Sequence, residues 1–398
     1  MKNYTISNPK GTHDLLYSDC RVRREIESEF MTLFLNRGYS EIITPTLEYY
    51  DVFRSAGNPI TQEELFKLVG NDGSLMVLRP DMTTPIARVA ATRLPESDKP
   101  YRLCYVQDVY RAGNLAGRGS EITQAGVELI GASGVKADTE VIAIAIESLS
   151  RVSDSYRLEI GHAGFFRSLI STFTDDEELT EEIRILIESK NFAAINDALS
   201  CYKDYPAYRA LCRLPQLFGG EEVLDEALEL SEGCAGVEEI EYLRRIIREL
   251  QSAGFGDSVM IDLGLVHHMD YYTGVVFQGY IEGVGAKIIS GGRYDSLVSM
   301  YGRSVPATGF AIDVDRVCES IKPEIDIRKR YVVHTEYGCL RKAMDFCDRH
   351  RGSLCELSPY EAIEDSIALA RARGEGTTLI RIYPGGAETV DTEEQSDG

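Results

Sequence analysis

Tyr101-Arg102-Leu103-Cys104-Tyr105-Val106-Gln107-Asp108-Val109-Tyr110 and Glu121-Ile122-Thr123-Gln124-Ala125-Gly126-Val127-Glu128-Leu129-Ile130 are two strand-like runs. Between them lies Arg111-Ala112-Gly113-Asn114-Leu115-Ala116-Gly117-Arg118-Gly119, rich in glycine and cationic. Strand, loop, strand predicts an antiparallel pair carrying a long loop of the kind that holds function. On a strand, residues i and i+4 share a face, so the Gln124 amide and the Glu128 carboxylate point together, with Ala125, Val127 and Leu129 on the other side. A buried Gln/Glu pair is costly unless it meets a cation or a donor, which suits recognition of an amine or an imidazole N–H. The alternative is a solvated face of an antiparallel strand, and spacing alone leans that way.

Working outward, Ile26, Phe30, Leu33 and Phe34 form one face of a helix that ends near Asn36-Arg37-Gly38. Residues 39–44 read as a strand stopped by Pro45. A short apolar run at 75–78 precedes Arg79-Pro80-Asp81-Met82-Thr83, and residues 138–151 have helical periodicity. From 165 to 250 the chain is acidic and helical, without a convincing strand. Thr174 with Glu177 fits a capping box there, and two helix faces are Leu179, Ile183, Leu186, Ile187 and Ile240, Leu243, Ile247, Leu250. Strands resume at 258–263, 274–281 and 286–290, followed by Gly291-Gly292-Arg293-Tyr294-Asp295, by Gly309-Phe310-Ala311-Ile312 and by a helix through Asp315-Arg316-Val317. Beyond Pro323, strand–helix–strand–helix–strand describes a small α/β unit. The expected fold is α+β: a core from 1–164 and 251–322, a helical insertion at 165–250, a small α/β domain at 328–384, and a disordered tail at 385–398.

Composition narrows the function. The 398 residues hold 42 Lys+Arg against 64 Asp+Glu, a formal net charge of −22, which disfavours a chain whose main task is gripping a phosphate backbone. The opening MKNYTISNPKGTHDLL lacks the apolar core of a signal peptide, and no run approaches the roughly 18 apolar residues of a membrane span. The nine cysteines form no CxxC pair and read as reduced cytoplasmic thiols. With six histidines and no HExxH, neither a metal nor a cofactor is expected. No GxxxxGK[ST] or strand-linked GxGxxG is present.

Three stretches combine polar side chains with strand context. Asp81 and Thr83 can hold an ammonium group, although Asp and Thr are also common helix caps, and on this stretch alone the cap is the better account. Gln124 and Glu128 are the second pair. The third is Asp270-Tyr271-Tyr272-Thr273-Gly274 after His267-His268, an acid beside an amphipathic tyrosine wall that equally suits core packing. Arg111, Arg118, Arg293 and Arg316 sit where a guanidinium fork could take carboxylate or phosphate, though each alone reads as a surface ion-pair partner.

Together these stretches resemble the catalytic core of a class II aminoacyl-tRNA synthetase of the histidyl type. Gly38 to Pro45 looks like the first class II motif, which contributes to dimerisation, Arg111 to Gly131 like the second, and Gly309 to Arg316 like the third. Leu265 to Gly274 and Gly291 to Asp295 look like the histidyl-specific motifs. The resemblance implies a six-stranded antiparallel sheet flanked by helices. It implies that Asp81, Thr83, Gln124, Glu128, Tyr271, Tyr272 and Tyr294 line a histidine pocket, and that Arg111 and Arg316 belong to an ATP site.

The departures point to a non-catalytic paralogue. His267 stands where the synthetase has an arginine at the reacting carboxylate, and a mostly neutral imidazole replaces that charge poorly. Ala112-Gly113-Asn114 replaces a Glu-Arg-Pro-type sequence, Asp313 replaces a glycine, and Asp315 replaces a glutamate. Residues 324–398 are too few for a full anticodon-binding domain. They carry 15 acids and 10 bases, net −5, the wrong sign for tRNA. These features resemble the family of ATP phosphoribosyltransferase regulatory subunits. That resemblance implies no catalysis by this chain, a short catalytic partner subunit in a hetero-octamer, self-association through the class II dimer interface, and feedback by histidine at the first step of histidine biosynthesis. An active histidyl-tRNA synthetase is the alternative, and the retained Arg316 speaks for it.

Overall fold

The computed structural model describes residues 4–54, 60–113, 119–172, 174–232, 235–266, 271–321 and 328–392. His267, His268, Asp270, Asn114 to Arg118 and Pro323 lie outside them. The chain divides into two compact units, Met1–Pro323 and Glu324–Gly398. No helix among the described residues is long and apolar enough to cross a membrane.

The first unit opens with α1 (Ser18–Asn36), which buries Val22, Ile26, Phe30, Leu33 and Phe34 on one stripe and ends before Gly38 at φ +82°. Burying each of those phenylalanines is worth roughly 2–3 kcal/mol. The strand expected at 39–44 shrinks to β1 (Ser40–Glu41), parallel to residues 103–104. Beyond it the backbone leaves the ladder, because side chains take its carbonyls: Gln107 Nε2 donates to Ile42 O at 3.1 Å and Arg79 Nη1 to Thr44 O at 2.6 Å. The unforeseen β2 (Leu47–Tyr49) leads through α2 (Tyr50–Phe53) to β3 (Lys67–Val69) and β4 (Leu75–Leu78), a small sheet in the order β2-β4-β3. Then come α3 (Thr83–Thr92), β5 (Tyr101–Tyr110), β6 (Glu121–Ile130), α4 (Val135–Val152) and β7 (Tyr156–His162).

A helical segment follows: α5 (Ala163–Ile170), α6 (Glu177–Glu188), α7 (Phe192–Ala198), α8 (Ala207–Arg213), α9 (Glu222–Leu230) and α10 (Val237–Ser252). Two expectations fail here. Asp176, not Thr174, caps α6, its Oδ1 accepting from Glu178 N and Leu179 N, because the helix starts two residues later than that box requires, and Thr174 Oγ1 instead accepts from Asp176 N at 3.0 Å. A two-residue strand, β8 (Phe218–Gly219), also sits in this segment and pairs with β9 (Val259–Asp262), too short for periodicity to reveal. The unit closes with β10 (Val275–Ile281), β11 (Ile289–Arg293, shifted from the expected 286–290), β12 (Ala307–Asp313) and α11 (Val314–Ser320).

The large sheet runs β1-β5-β6-β12-β11-β10-β7-β9-β8. Its centre, from β5 to β7, is six antiparallel strands, with β1 and β9 joining in parallel. One face packs through Ala125, Val127, Leu129 and Phe310 on α1 and α4, where Phe34 meets Phe310 edge-on at 6.1 Å. The other face carries Gln124 and Glu128 and is covered too, so the solvated-face reading does not hold: Glu128 is 1% exposed.

The second unit is β13 (Arg330–Thr335), α12 (Leu340–Arg349), β14 (Leu354–Leu357), α13 (Ile363–Ala372), β15 (Thr377–Tyr383) and β16 (Gly386–Val390), in the sheet order β14-β13-β15-β16. β13 runs parallel to both β14 and β15, and β16 pairs antiparallel with β15. Residues 386–390 are therefore a strand rather than part of a disordered tail. Gly386 lets the chain turn back and present Thr389 and Val390 to an edge that would otherwise be open.

Candidate functional site

Above the second sheet face lies a cavity of about 800 Å³. Asp81, Thr83, Gln124, Tyr271, Tyr272, Tyr294, Arg111 and Arg316 all line it. Glu128 joins as the acceptor of the Tyr294 hydroxyl. Residues far apart in sequence thus converge from β6, the start of α3, the approach to β10, the end of β11 and the start of α11.

Its deep end is a carboxyl–tyrosine cluster. Burial pushes the Glu128 carboxyl up to about 8, with hydrogen bonds from Tyr294 and Thr83 offsetting part of the effect and the Asp81 charge adding to it. Gly309 allows this packing, because a Cβ there would overlap Glu128 Oε2 and the Val127 carbonyl. Burial also raises Asp81, against the bonds it receives from Thr84 and the nearby charge of Arg111. Asp81 does cap α3: its Oδ1 accepts from Thr84 N at 2.7 Å and its Oδ2 from Thr84 Oγ1 at 3.1 Å. The cap fixes a carboxyl that also faces the cavity, so one residue serves both readings. Tyr271 stacks on Tyr294 at 5.5 Å and meets Tyr272 edge-on at 4.9 Å. Two buried carboxyls held from their charged forms make a site that an ammonium or imidazolium group would relieve.

The other end is cationic, and compensated at one of its two arginines. Arg111 Nε donates to Pro80 O at 2.9 Å, and the guanidinium makes no ion pair among the described residues. Arg316 differs. Its Nε lies 3.4 Å from Asp313 Oδ2, its Nη1 donates to Lys287 O at 2.9 Å, and its backbone N–H donates to Asp313 Oδ1 at 3.1 Å. Asp313 thus caps α11 and neutralises the arginine at once. Asp315 turns elsewhere: its Oδ2 accepts from Thr123 N at 2.8 Å and it pairs with Arg23.

Arg293 is no open anion fork. It is buried and held by Asp138 and Asp295. Sequence reading missed Glu64, Gln278, Glu188 and Lys287, which also line the cavity. Gln278 was detectable as the one polar side chain inside Val275–Ile281 apart from the Tyr280 hydroxyl, whereas Glu188 arrives from the helical segment with no local signal. Tyr105 was missed as well. Opposite Gly126, its hydroxyl occupies the space a Cβ there would need, on the face shared by Gln124 and Glu128, and is buried without a hydrogen-bond partner among the described residues.

Comparison with known proteins agrees with this architecture. The pattern of the histidyl-tRNA synthetase family matches residues 11–317. An ATP phosphoribosyltransferase regulatory subunit of Clostridium acetobutylicum is 39% identical over 369 residues, 90% of this chain and 91% of the relative. One from Clostridium kluyveri is 41% identical over 327 residues, covering 81% and 84%. The solved structure of an ATP phosphoribosyltransferase regulatory subunit/histidyl-tRNA synthetase from Bacillus halodurans C superposes with a TM-score of 0.85 at 31% identity, covering 96% of this chain and 99% of that one. A histidyl-tRNA synthetase from Nostoc sp. PCC 7120 shares the fold, with a TM-score of 0.78 at 19% identity, over 96% of this chain and 91% of that one. The chain belongs to the family of ATP phosphoribosyltransferase regulatory subunits, built on the histidyl-tRNA synthetase fold.

Proposed function

We propose that this chain is the regulatory subunit of an ATP phosphoribosyltransferase, binds histidine in the carboxyl–tyrosine end of the cavity, and carries out no adenylation of its own. The observation that carries the reading is the contrast between a complete pocket of Asp81, Thr83, Gln124, Glu128, Tyr271, Tyr272 and Tyr294 and a phosphate-side Arg316 paired with Asp313. His267, in place of the synthetase arginine, supports it from sequence. A polyphosphate needs uncompensated cations, and a carboxylate beside Arg316 both cancels that charge and repels the ligand.

In this reading the core at 1–164 and 251–322, the insertion at 165–250 and the α/β domain at 328–384 form a cytoplasmic subunit. It assembles with a short catalytic subunit, as a hetero-octamer, and takes no part in tRNA binding. Histidine acts by favouring one assembly state through unequal affinity, the thermodynamic requirement for feedback. Self-association through the first class II motif is supported by exposed Ile43 within it, and by Leu47, Tyr49 and Leu68, which stand exposed on the small sheet that follows.

The test is reconstitution. Mixed with a short catalytic subunit, the chain should raise condensation of ATP with phosphoribosyl pyrophosphate, and histidine should suppress it. Histidine-dependent ATP–pyrophosphate exchange should be absent. Exchange at a normal rate, without activation of the transferase, would instead favour an active synthetase, the reading to which Arg111 and Arg316 lend support.

A further inference from the structure

The tyrosine wall of the cavity hangs on one buried ion pair. Arg293 ends β11 immediately before Tyr294. Its Nε and Nη2 donate to Asp138 Oδ2 and Oδ1 at 3.1 and 2.6 Å, and its Nη1 to Asp295 Oδ1 at 2.9 Å and Ala132 O at 3.3 Å. Asp138, in the first turn of α4, is fully buried. The same hub fixes the segment bearing Tyr271 and Tyr272. Thr273 N donates to Arg293 O at 2.7 Å, and Asp295 N donates to Thr273 Oγ1 at 3.0 Å. Gly274 lies against the Arg293 side chain, where a Cβ would come within 3.0 Å of Cδ.

Among the described residues Asp138 has one further side-chain donor, and it comes from the helical segment. The Tyr242 hydroxyl on α10 donates to Asp138 Oδ2 at 2.6 Å, with the His162 ring edge-on to Tyr242 at 5.9 Å. A buried carboxylate in a bidentate pair still needs its remaining lone pairs met, and each unmet one weakens its hold on the arginine. A second strap runs from α5, where Arg167 Nη2 donates to Tyr272 O at 3.0 Å.

We infer that Tyr242 is a positioning residue for the cavity, through which the helical segment sets the placement of Tyr271, Tyr272 and Tyr294 by way of Asp138 and Arg293. A partner or ligand that shifts α10 therefore changes the affinity of the amine- and imidazole-binding end without touching it. The second statement rests on the pocket reading above; the first does not.

Hydrogen–deuterium exchange on the full ligand-free chain tests the first statement. Tyr242→Phe removes one hydrogen bond to a charged group, so amides at 271–275 and 292–296 should exchange about tenfold faster. Amides at 121–130, on the opposite wall, should be unchanged. Ser168→Ala cuts a different link between α5 and α10, the 2.6 Å bond from Ser168 Oγ to Glu239 Oε1, and should leave 271–296 as in the parent. Asp138→Asn should reproduce the Tyr242→Phe pattern. An unchanged 271–296 region, or faster exchange spread evenly over the chain, overturns the inference. Calorimetry with histidine then judges the pocket: Tyr242→Phe should bind about fivefold more weakly. Absence of heat with the parent chain would defeat the pocket reading alone, leaving the exchange result to stand or fall by itself.

Discussion

The two ends of the cavity are built on opposite principles. At the deep end, Glu128, Asp81 and three tyrosines are packed so closely that burial holds both carboxyls from their charged forms. At the outer end, Arg316 already has its counter-charge in Asp313. The first arrangement is costly when empty and is relieved by a cationic or N–H-bearing ligand; in the second, Arg316 is already neutralised, while Arg111 makes no ion pair among the described residues. On the proposed reading, a scaffold shared with histidyl-tRNA synthetases keeps an amino-acid pocket while a carboxylate neutralises one of its phosphate-side arginines.

The largest effect expected from breaking this contrast is at Gly309. Gly309→Ala places a methyl group on Glu128 Oε2, so stability should fall by about 1–3 kcal/mol and histidine binding should vanish. Melting temperature and calorimetry measure both, and an unperturbed melt would mean the deep end is loosely packed. Next comes Glu128 itself. Its folded-state value of about 8 lies above the ordinary 4.5, so the unfolded chain gives up its proton first, and stability should decline as pH rises from 4.5 to 8. Glu128→Gln should flatten that slope, measured by denaturant unfolding across the range. Smaller still is Asp313→Asn, which should cost about 1 kcal/mol and leave histidine affinity within roughly twofold. A large loss of affinity would show that the two ends are not separable. The smallest change is Tyr105→Phe, which removes a buried unpartnered hydroxyl and should raise ligand-free stability by about 0.5 kcal/mol, seen as a slightly higher melting temperature.

Long, periodic elements were legible in the sequence because burial on one face imposes a period: α1, β5, β6 and α10 stand close to where spacing places them. The short strands β2, β3 and β8 were not, and β1 was found but overextended, since two or three residues carry no period and their pairing is decided by distant partners. The site divides in the same way. The convergence of Asp81, Gln124, Glu128 and the tyrosines was implied by the family resemblance of the ordered motifs; taken singly, the same residues read as well or better as a helix cap, a solvated strand face and core packing. Tyr242 and Glu188 could not be found that way, because only the packing of the helical segment brings them near the sheet. Arg293 misled for a related reason: an arginine beside glycines looks like an open fork until a buried aspartate from another helix claims it.

The bond between Asp313 and Arg316 also has a kinetic meaning. An anion tethered three residues away along the same helix turn is never diluted and never diffuses off. Any free anion reaching that arginine competes with a rival always at hand, so its concentration in solution has little leverage over this corner of the protein.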